Sequence, residues 1–248
     1  MSASTLLLVN AIGLVAALAL VYWWLRHESR TSVRVMPAAT FGSDRRLRAV
    51  YVTMAALVIA STVEVFAPYF GQHLQGLQPL EAGCVGAAMA AGWTAGSLAL
   101  SGATARRALV IRMAPLFSVA GLEVLAFVGP VRSGALWIVI AVVVGLVLLG
   151  WGVGMAWPHL LTSVLQLSGG EDQERAGASV TIVQLTATAF GSALAGMVVN
   201  ATGFGDPGHT ASAARWLFVS FILAAVVASI AAWRAGPYAT TAVRTRNS

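Results

Sequence analysis

From Thr5 onward the chain repeats one unit, an apolar run of about 20 residues followed by a short polar break. A run of that length crosses a hydrocarbon core of roughly 30 Å at ~1.5 Å per residue. In hydrocarbon every backbone N–H and C=O has to be paired within the segment or in a closed barrel, and uninterrupted apolar runs of this length suit helices. Seven segments qualify: Thr5–Leu25, Ala49–Phe70, Leu80–Ser101, Ala108–Val128, Ala135–His159, Ala176–Ala201 and Trp216–Trp233. The expected fold class is an all-α polytopic membrane protein with about seven transmembrane helices. Composition agrees, with 58% hydrophobic and only 10% charged residues, against about a quarter charged in a soluble domain.

The basic residues number fifteen, all of them Arg, and they stand between the apolar segments. A sequence pI near 10.7 would point to nucleic acid in a soluble protein. Here the spacing assigns the charge to membrane topology, and no nucleic-acid partner is expected. The first segment has no basic residue before it, and Arg26 and Arg30 follow it. It is therefore expected to be a retained span with Met1 outside, not a cleaved signal peptide. That orientation puts thirteen Arg on inner loops and span ends and leaves only Arg132 and Arg215 outside. The expected placement is a multi-pass protein of the cell membrane, of the bacterial inner-membrane kind, with a cytoplasmic C-terminus. The inner linker Arg26–Arg48 carries "DRRLR", Asp44 to Arg48, a charged connector or a lipid-headgroup contact.

A carboxylate interrupts the second segment, in "VIASTVEVFAPYF", Val58 to Phe70. On an α-helix Ile59, Val63, Phe66 and Phe70 form a bulky stripe, expected to face lipid. Thr53, Leu57, Ala60, Ser61, Glu64, Pro68 and Gly71 share the opposite side. Small and polar surface suits a neighbouring helix or a water-filled cavity, so Glu64 is expected to point inward. Ionisable groups inside a membrane are costly and mark ion or solute pathways. Glu64, with Ser61 beside it, is a candidate proton or substrate site. The alternative is a structural carboxyl, held by Ser61 or wet near the outer end of its span.

The fifth segment contains "GWGVGMAWPH", Gly150 to His159. Gly150, Gly154 and Pro158 recur every fourth residue, a pattern for close helix packing and for a helix weakened or hinged at Pro158. Trp151 and Trp157 can stack on an aromatic or cationic solute, or simply fill space. His159 is expected at the interface. In the sixth segment Gly177, Thr181, Gln184, Thr188, Ser192 and Ala195 share one face, suited to an interface or a solute pathway. Gln184 is its most capable hydrogen-bonding group. Glu123 is expected near the outer end of its span, either paired with Arg132 or snorkelling to the interface. Cys84 has no companion for a disulfide or metal site. No nucleotide-binding glycine loop, His/Cys metal spacing or Ser/His/Asp set is present, so no cofactor, metal or enzymatic activity is expected.

Several stretches, taken in order, resemble the C-terminal half of fourteen-helix drug:proton antiporters of the major facilitator superfamily. "WWLRHESRTSVRVMPAATFGSDRRLRAVYV" resembles the linker leading into that half, and "APYFGQHLQGLQPLEAG" the outer end of its first helix and the following turn. "GWGVGMAWP" is similar to its fourth helix and "ERAGASVTIVQLTATAFGSALAG" to its fifth. The resemblance implies a linker helix and basic linker over 1–48, a six-helix half-bundle over 49–234 and a cytoplasmic tail over 235–248. Within the half-bundle it implies two inverted three-helix repeats, Ala49–Val128 and Ala135–Trp233. The spans of Glu64 and of Gly150–Pro158 would line a cavity, and those of Trp93 and Gln184 would meet another half. The loop "LSGATARRALVIR" departs from the family's Gly-x-Leu-Ala-Asp-Arg-x-Gly-Arg-Arg pattern, because the Asp is missing.

The function expected from this is half of a secondary active transporter, exporting a small lipophilic or drug-like solute in exchange for protons. Its partners would be the lipid bilayer, the solute and protons, and a second transporter half or another copy of itself. The competing expectation is a truncated, non-transporting membrane remnant or a membrane interaction protein.

Overall fold

Apolar segments become helices here because their turn residues stand at their ends. The fold is seen in a computed structural model that describes residues 3–31, 35–41, 45–168 and 172–239. The helices are α1 (Ala3–Glu28), α2 (Arg46–Ser61), α3 (Ala67–Leu74), α4 (Pro79–Leu100), α5 (Arg107–Val128), α6 (Leu136–Ser168), α7 (Gln173–Ala201) and α8 (Thr210–Ala239). Short 3-10 turns lie at Ala38–Phe41, Thr62–Phe66 and Thr104–Arg106, and the described residues contain no strand. Through the turn at Thr62, α2 and α3 form a continuous helical span, Arg46–Leu74. Six spans are long and apolar enough to cross a membrane, and α1, at 26 residues, coincides with the first expected segment. The protein is all-α and multi-pass. Asp44, Arg34 and the last nine residues, with Arg244 and Arg246, lie outside the described residues.

Alternate connections gather at opposite ends, as a chain crossing back and forth requires. At one end Gln75 Nε2 donates to the carbonyls of Gly129 at 3.1 Å and Val131 at 3.0 Å, and Arg132 donates to the Pro207 carbonyl. In the α7–α8 turn the Asp206 carboxylate accepts from the Gly208 N–H at 2.8 Å and faces His209 Nδ1 at 2.8 Å. These two contacts hold the Asp206 carboxyl below the ordinary carboxylate range. At the other end Arg107 Nη1 donates to Gln166 Oε1 at 2.6 Å. His159 Nε2 donates to the Leu100 carbonyl, 2.7 Å away, which fixes its tautomer.

Between lipid-solvated helices, leaving water no longer drives association, so close backbone packing has to hold the bundle. The sixth helix shows how. On one side Gly150 and Gly154 admit α4 so closely that an added Cβ would lie 2.0 Å from the carbonyl oxygens of Met89 and Trp93 respectively. Gly92 and Gly96 of α4 return the contact, at 2.3 Å from Val147 O and 2.7 Å from Trp151 O. On the other side Gly152 admits α5, with a Cβ site 2.5 Å from Ala114 O. Around this centre α5 packs on α8, and α2 touches α6, α7 and α8. The core divides into one cluster around Phe70, Leu122, Leu146 and Phe218 and another around Met54, Ile111, Val153 and Leu160.

Two expected segment ends are corrected. The fifth span does not stop at His159; α6 continues through Pro158 to Ser168. Proline removes only one N–H, and the apolar residues Leu160, Leu161, Val164 and Leu165 continue the helical pattern beyond it. His159 is 2% exposed, buried against the end of α4. The last helix runs from Thr210 to Ala239, beyond Trp233 at its end, so the expected tail begins as helix.

Candidate functional site

The segment that carries Glu64 is not a plain α-helix. α2 ends at Ser61, and residues Thr62–Phe66 wind as 3-10 helix before α3 resumes. The local chemistry explains the change. Pro68 has no N–H to give the Glu64 carbonyl, which accepts from Ala67 instead. The Ser61 and Thr62 hydroxyls donate to the Val58 and Ile59 carbonyls at 2.7 and 2.8 Å. Such side-chain bonds compete with the helical ladder.

The 3-10 turn overturns the expected stripes. It advances about 120° per residue instead of about 100°, so five residues rotate everything after Thr62 relative to an ideal helix. Val63 and Phe70, expected to face lipid, are 0% and 2% exposed inside the bundle. Val65 is exposed in their place. Glu64 is half-buried, and its carboxyl has no hydrogen bond or ion pair among the described residues. Ser61 does not hold it, because the serine hydroxyl is spent on Val58. Beyond Glu64, the rings of Phe66 and Tyr69 meet Phe204 from the α7–α8 turn at 5.8 and 4.6 Å, and Phe70 meets Phe218 at 6.1 Å.

The other candidates stand on separate spans. Trp157 of α6 is half-buried against Trp93 of α4, ring centroids 5.5 Å apart and planes tilted by 53°. Gln184 of α7 is half-buried, while Gly177, Thr181, Thr188 and Ser192 of its stripe are exposed and Ala195 is buried. The seventh helix turns its polar stripe away from the bundle and its small face inward, where a Cβ on Gly191 would lie 2.6 Å from Thr62 Oγ1. No hydrogen bond or ring contact joins Glu64, Trp157 and Gln184 to one another among the described residues. Among the six spans from α2 to α8, the two least covered by the rest of the protein are α7 and α4, with 22% and 28% buried against 39% to 61% for the others.

The expected Glu123–Arg132 pair does not form: Glu123 is exposed on α5, and Arg132 reaches Pro207 across the turns instead. Ala114, Ser118 and Gly121, on the opposite face of α5, are buried. Three contacts escaped the sequence reading: His159 with Leu100, Arg107 with Gln166, and the Tyr51 hydroxyl with Ser179, which ties α2 to α7. Their partners are 128 residues apart in the last case and 59 in the first two. Only the polar residue itself, inside an apolar span, could have drawn notice.

Two curated relatives from Mycobacterium tuberculosis, one from strain CDC 1551 / Oshkosh and one from strain ATCC 25618 / H37Rv, are each named a probable multidrug-efflux transporter. Each is 36% identical to this chain over 236 residues, covering 92% of the chain and 48% of the relative. The chain thus spans about half the length of the curated relatives it matches. No family model matches it, and no solved structure matches it.

Proposed function

We propose that this chain forms a six-helix half of a major-facilitator-type exporter, which exchanges a small lipophilic or drug-like solute for protons against a second bundle. The second bundle is supplied by the same polypeptide or by another one. The observation that carries this reading is the poor covering of α4 and α7, which present small and polar residues where the other spans are packed. The names of the relatives supply the solute class. The packing pattern also supports it: α4 lies on α6 as α7 lies on α2, α5 lies on α6 as α8 lies on α2, and α5 meets α8. Exchanging 49–128 with 135–233 preserves that pattern, as two inverted repeats would.

In this reading the Arg-rich end is cytoplasmic, the protein sits in a bacterial inner membrane, and Met1 is outside. Glu64 carries the coupling proton, because it is an intramembrane carboxyl without a partner. Gln184 and Trp157 contact the solute, Gly150 and Gly154 set the α4–α6 spacing, and Pro158 is where α6 bends during transport. Ser61 tunes the backbone beside Glu64 through its bond to Val58. A non-transporting membrane protein is the second reading, favoured by the "GATARRA" loop, where Arg107 finds a neutral glutamine in place of a carboxylate.

The test is efflux and proton flux in vesicles holding the assembled two-bundle complex. Glu64→Gln keeps size and hydrogen bonding and is expected to abolish proton-driven efflux while inserting normally. Glu123→Gln, on the exposed face, is expected to leave it intact. Unchanged coupling in Glu64→Gln would remove Glu64 from the mechanism, and no efflux from the wild-type complex would favour the second reading.

A further inference from the structure

The Arg-rich ends of α5 and α8 hold a cationic arrangement that the transport reading does not use. The Arg112 guanidinium lies over the Trp233 ring, 5.1 Å from its centroid. Arg112 Nε is buried without a hydrogen-bond partner. Arg234, next along α8, is exposed. Neither arginine has a carboxylate at ion-pair distance among the described residues. Trp233 thus has one positive charge over its ring and another on the residue that follows it, and neither is paired with a carboxylate among the described residues.

The surface leading to them is apolar. Met113 and Leu116 follow Arg112 on α5, Ile230 lies one turn before Arg234 on α8, and all three are exposed. In a membrane such a strip lies against acyl chains, and the Arg and Trp at its end stand near headgroup depth. Guanidinium matches phosphate oxygens with paired donors, and stacking on an aromatic ring restricts it to that geometry.

We propose that Arg112, Trp233 and Arg234 bind the headgroup of an anionic phospholipid, whose acyl chains lie along Met113, Leu116 and Ile230. The phosphate accepts from the outward edge of Arg112 and from Arg234, and Trp233 holds Arg112 in place from beneath. A zwitterionic headgroup leaves the two positive charges uncompensated, so the site selects net negative lipid. This inference rests on the membrane placement and not on the transport activity, and it is measured without transport.

The experiment places the full protein in bilayer discs of mixed phosphatidylglycerol and phosphatidylcholine and counts retained lipids by native mass spectrometry. Wild type is expected to retain phosphatidylglycerol preferentially. Arg112→Gln and Arg234→Gln are each expected to lower that retention about fivefold, and the pair about twenty-five-fold, as for charges near a membrane surface. Trp233→Leu is expected to weaken it too, while Arg132→Gln, at the other end, changes nothing. Should Arg112→Gln fail to fold, Arg234→Gln and Trp233→Leu, both at exposed positions, carry the test. Wild-type retention in those variants overturns the proposal. So does release of phosphatidylglycerol by excess inorganic phosphate, which would mark a site for soluble anions.

Discussion

Gly154 and Trp93 meet backbone to backbone: a Cβ at position 154 would lie 2.0 Å from the Trp93 carbonyl oxygen. About one turn on, the Trp93 indole lies 5.5 Å from that of Trp157. One close approach thus sets both the α4–α6 spacing and the position of a candidate solute-contacting ring.

Gly154→Ala forces α4 and α6 apart and is expected to cost about 1–3 kcal/mol, in the range of overpacked cores. Gly177→Ala is the control, because nothing lies within 4 Å of its Cβ site. Thermal melting in detergent, followed by helical circular dichroism, is expected to drop for the first and to hold or rise for the second. Equal melting of both would mean that the two helices can separate freely.

His159→Ala takes away the donor to Leu100 O at the end of α4. The carbonyl keeps the Ala103 N–H as a partner, so the loss is that of one hydrogen bond, about 0.5–1.5 kcal/mol. His159→Gln, which keeps an N–H, is expected to recover part of the loss in the same melting measurement. A cost as large for Gln as for Ala would assign the effect to lost packing.

Reporter fusions after Arg107 are expected to read cytoplasm, and fusions after Gln75 the exterior. The 2.6 Å Arg107–Gln166 bond and the Gln75 bonds to Gly129 and Val131 put these sites at opposite ends. An exterior signal after Arg107 would reverse the proposed orientation.

The Asp206 carboxyl is held below the ordinary range by Gly208 N–H and by His209. Its depressed value makes its contribution present above the unfolded-state pKa, near 4, and lost as the pH falls through the folded value. Protection of the Gly208 and His209 amides, taken relative to the intrinsic exchange rate at each pH, is expected to fall on acidification below about pH 4. Asp206→Ala is expected to show the lower protection already at neutral pH. Unchanged wild-type protection down to about pH 2 would show that the turn holds without this carboxylate.

Spans were legible because length and apolarity leave a lipid-solvated chain few choices, and α4 and α5 begin and end within a residue of expectation. The faces of the Glu64 span were not legible. Extrapolating a constant turn through Ser61, Thr62 and Pro68 ignores three residues that each disturb the helical ladder. The α6 end was missed because Pro158 was weighed without the apolar Leu160, Leu161, Val164 and Leu165 beyond it. Gly150 and Gly154 were noticed from their spacing, but the answering Gly92 and Gly96 lie on another helix and became visible only with the crossing. For the candidate site, residue types were readable and convergence was not, because Glu64, Trp157 and Gln184 come from three different spans.

The glycine contacts also determine how the bundle yields under load. Four glycines lock α4 to α6, whereas the seam between α2 and α7 has a single close glycine, Gly191 against Thr62 and Ile59. The first seam is stiff, and the second is compliant. A torque on the bundle therefore turns α4 and α6 as one lever and is absorbed as slip along α7, the helix whose polar stripe faces outward. Distances between spin labels on α4 and α6 should stay fixed through a working cycle, while those from α2 to α7 broaden.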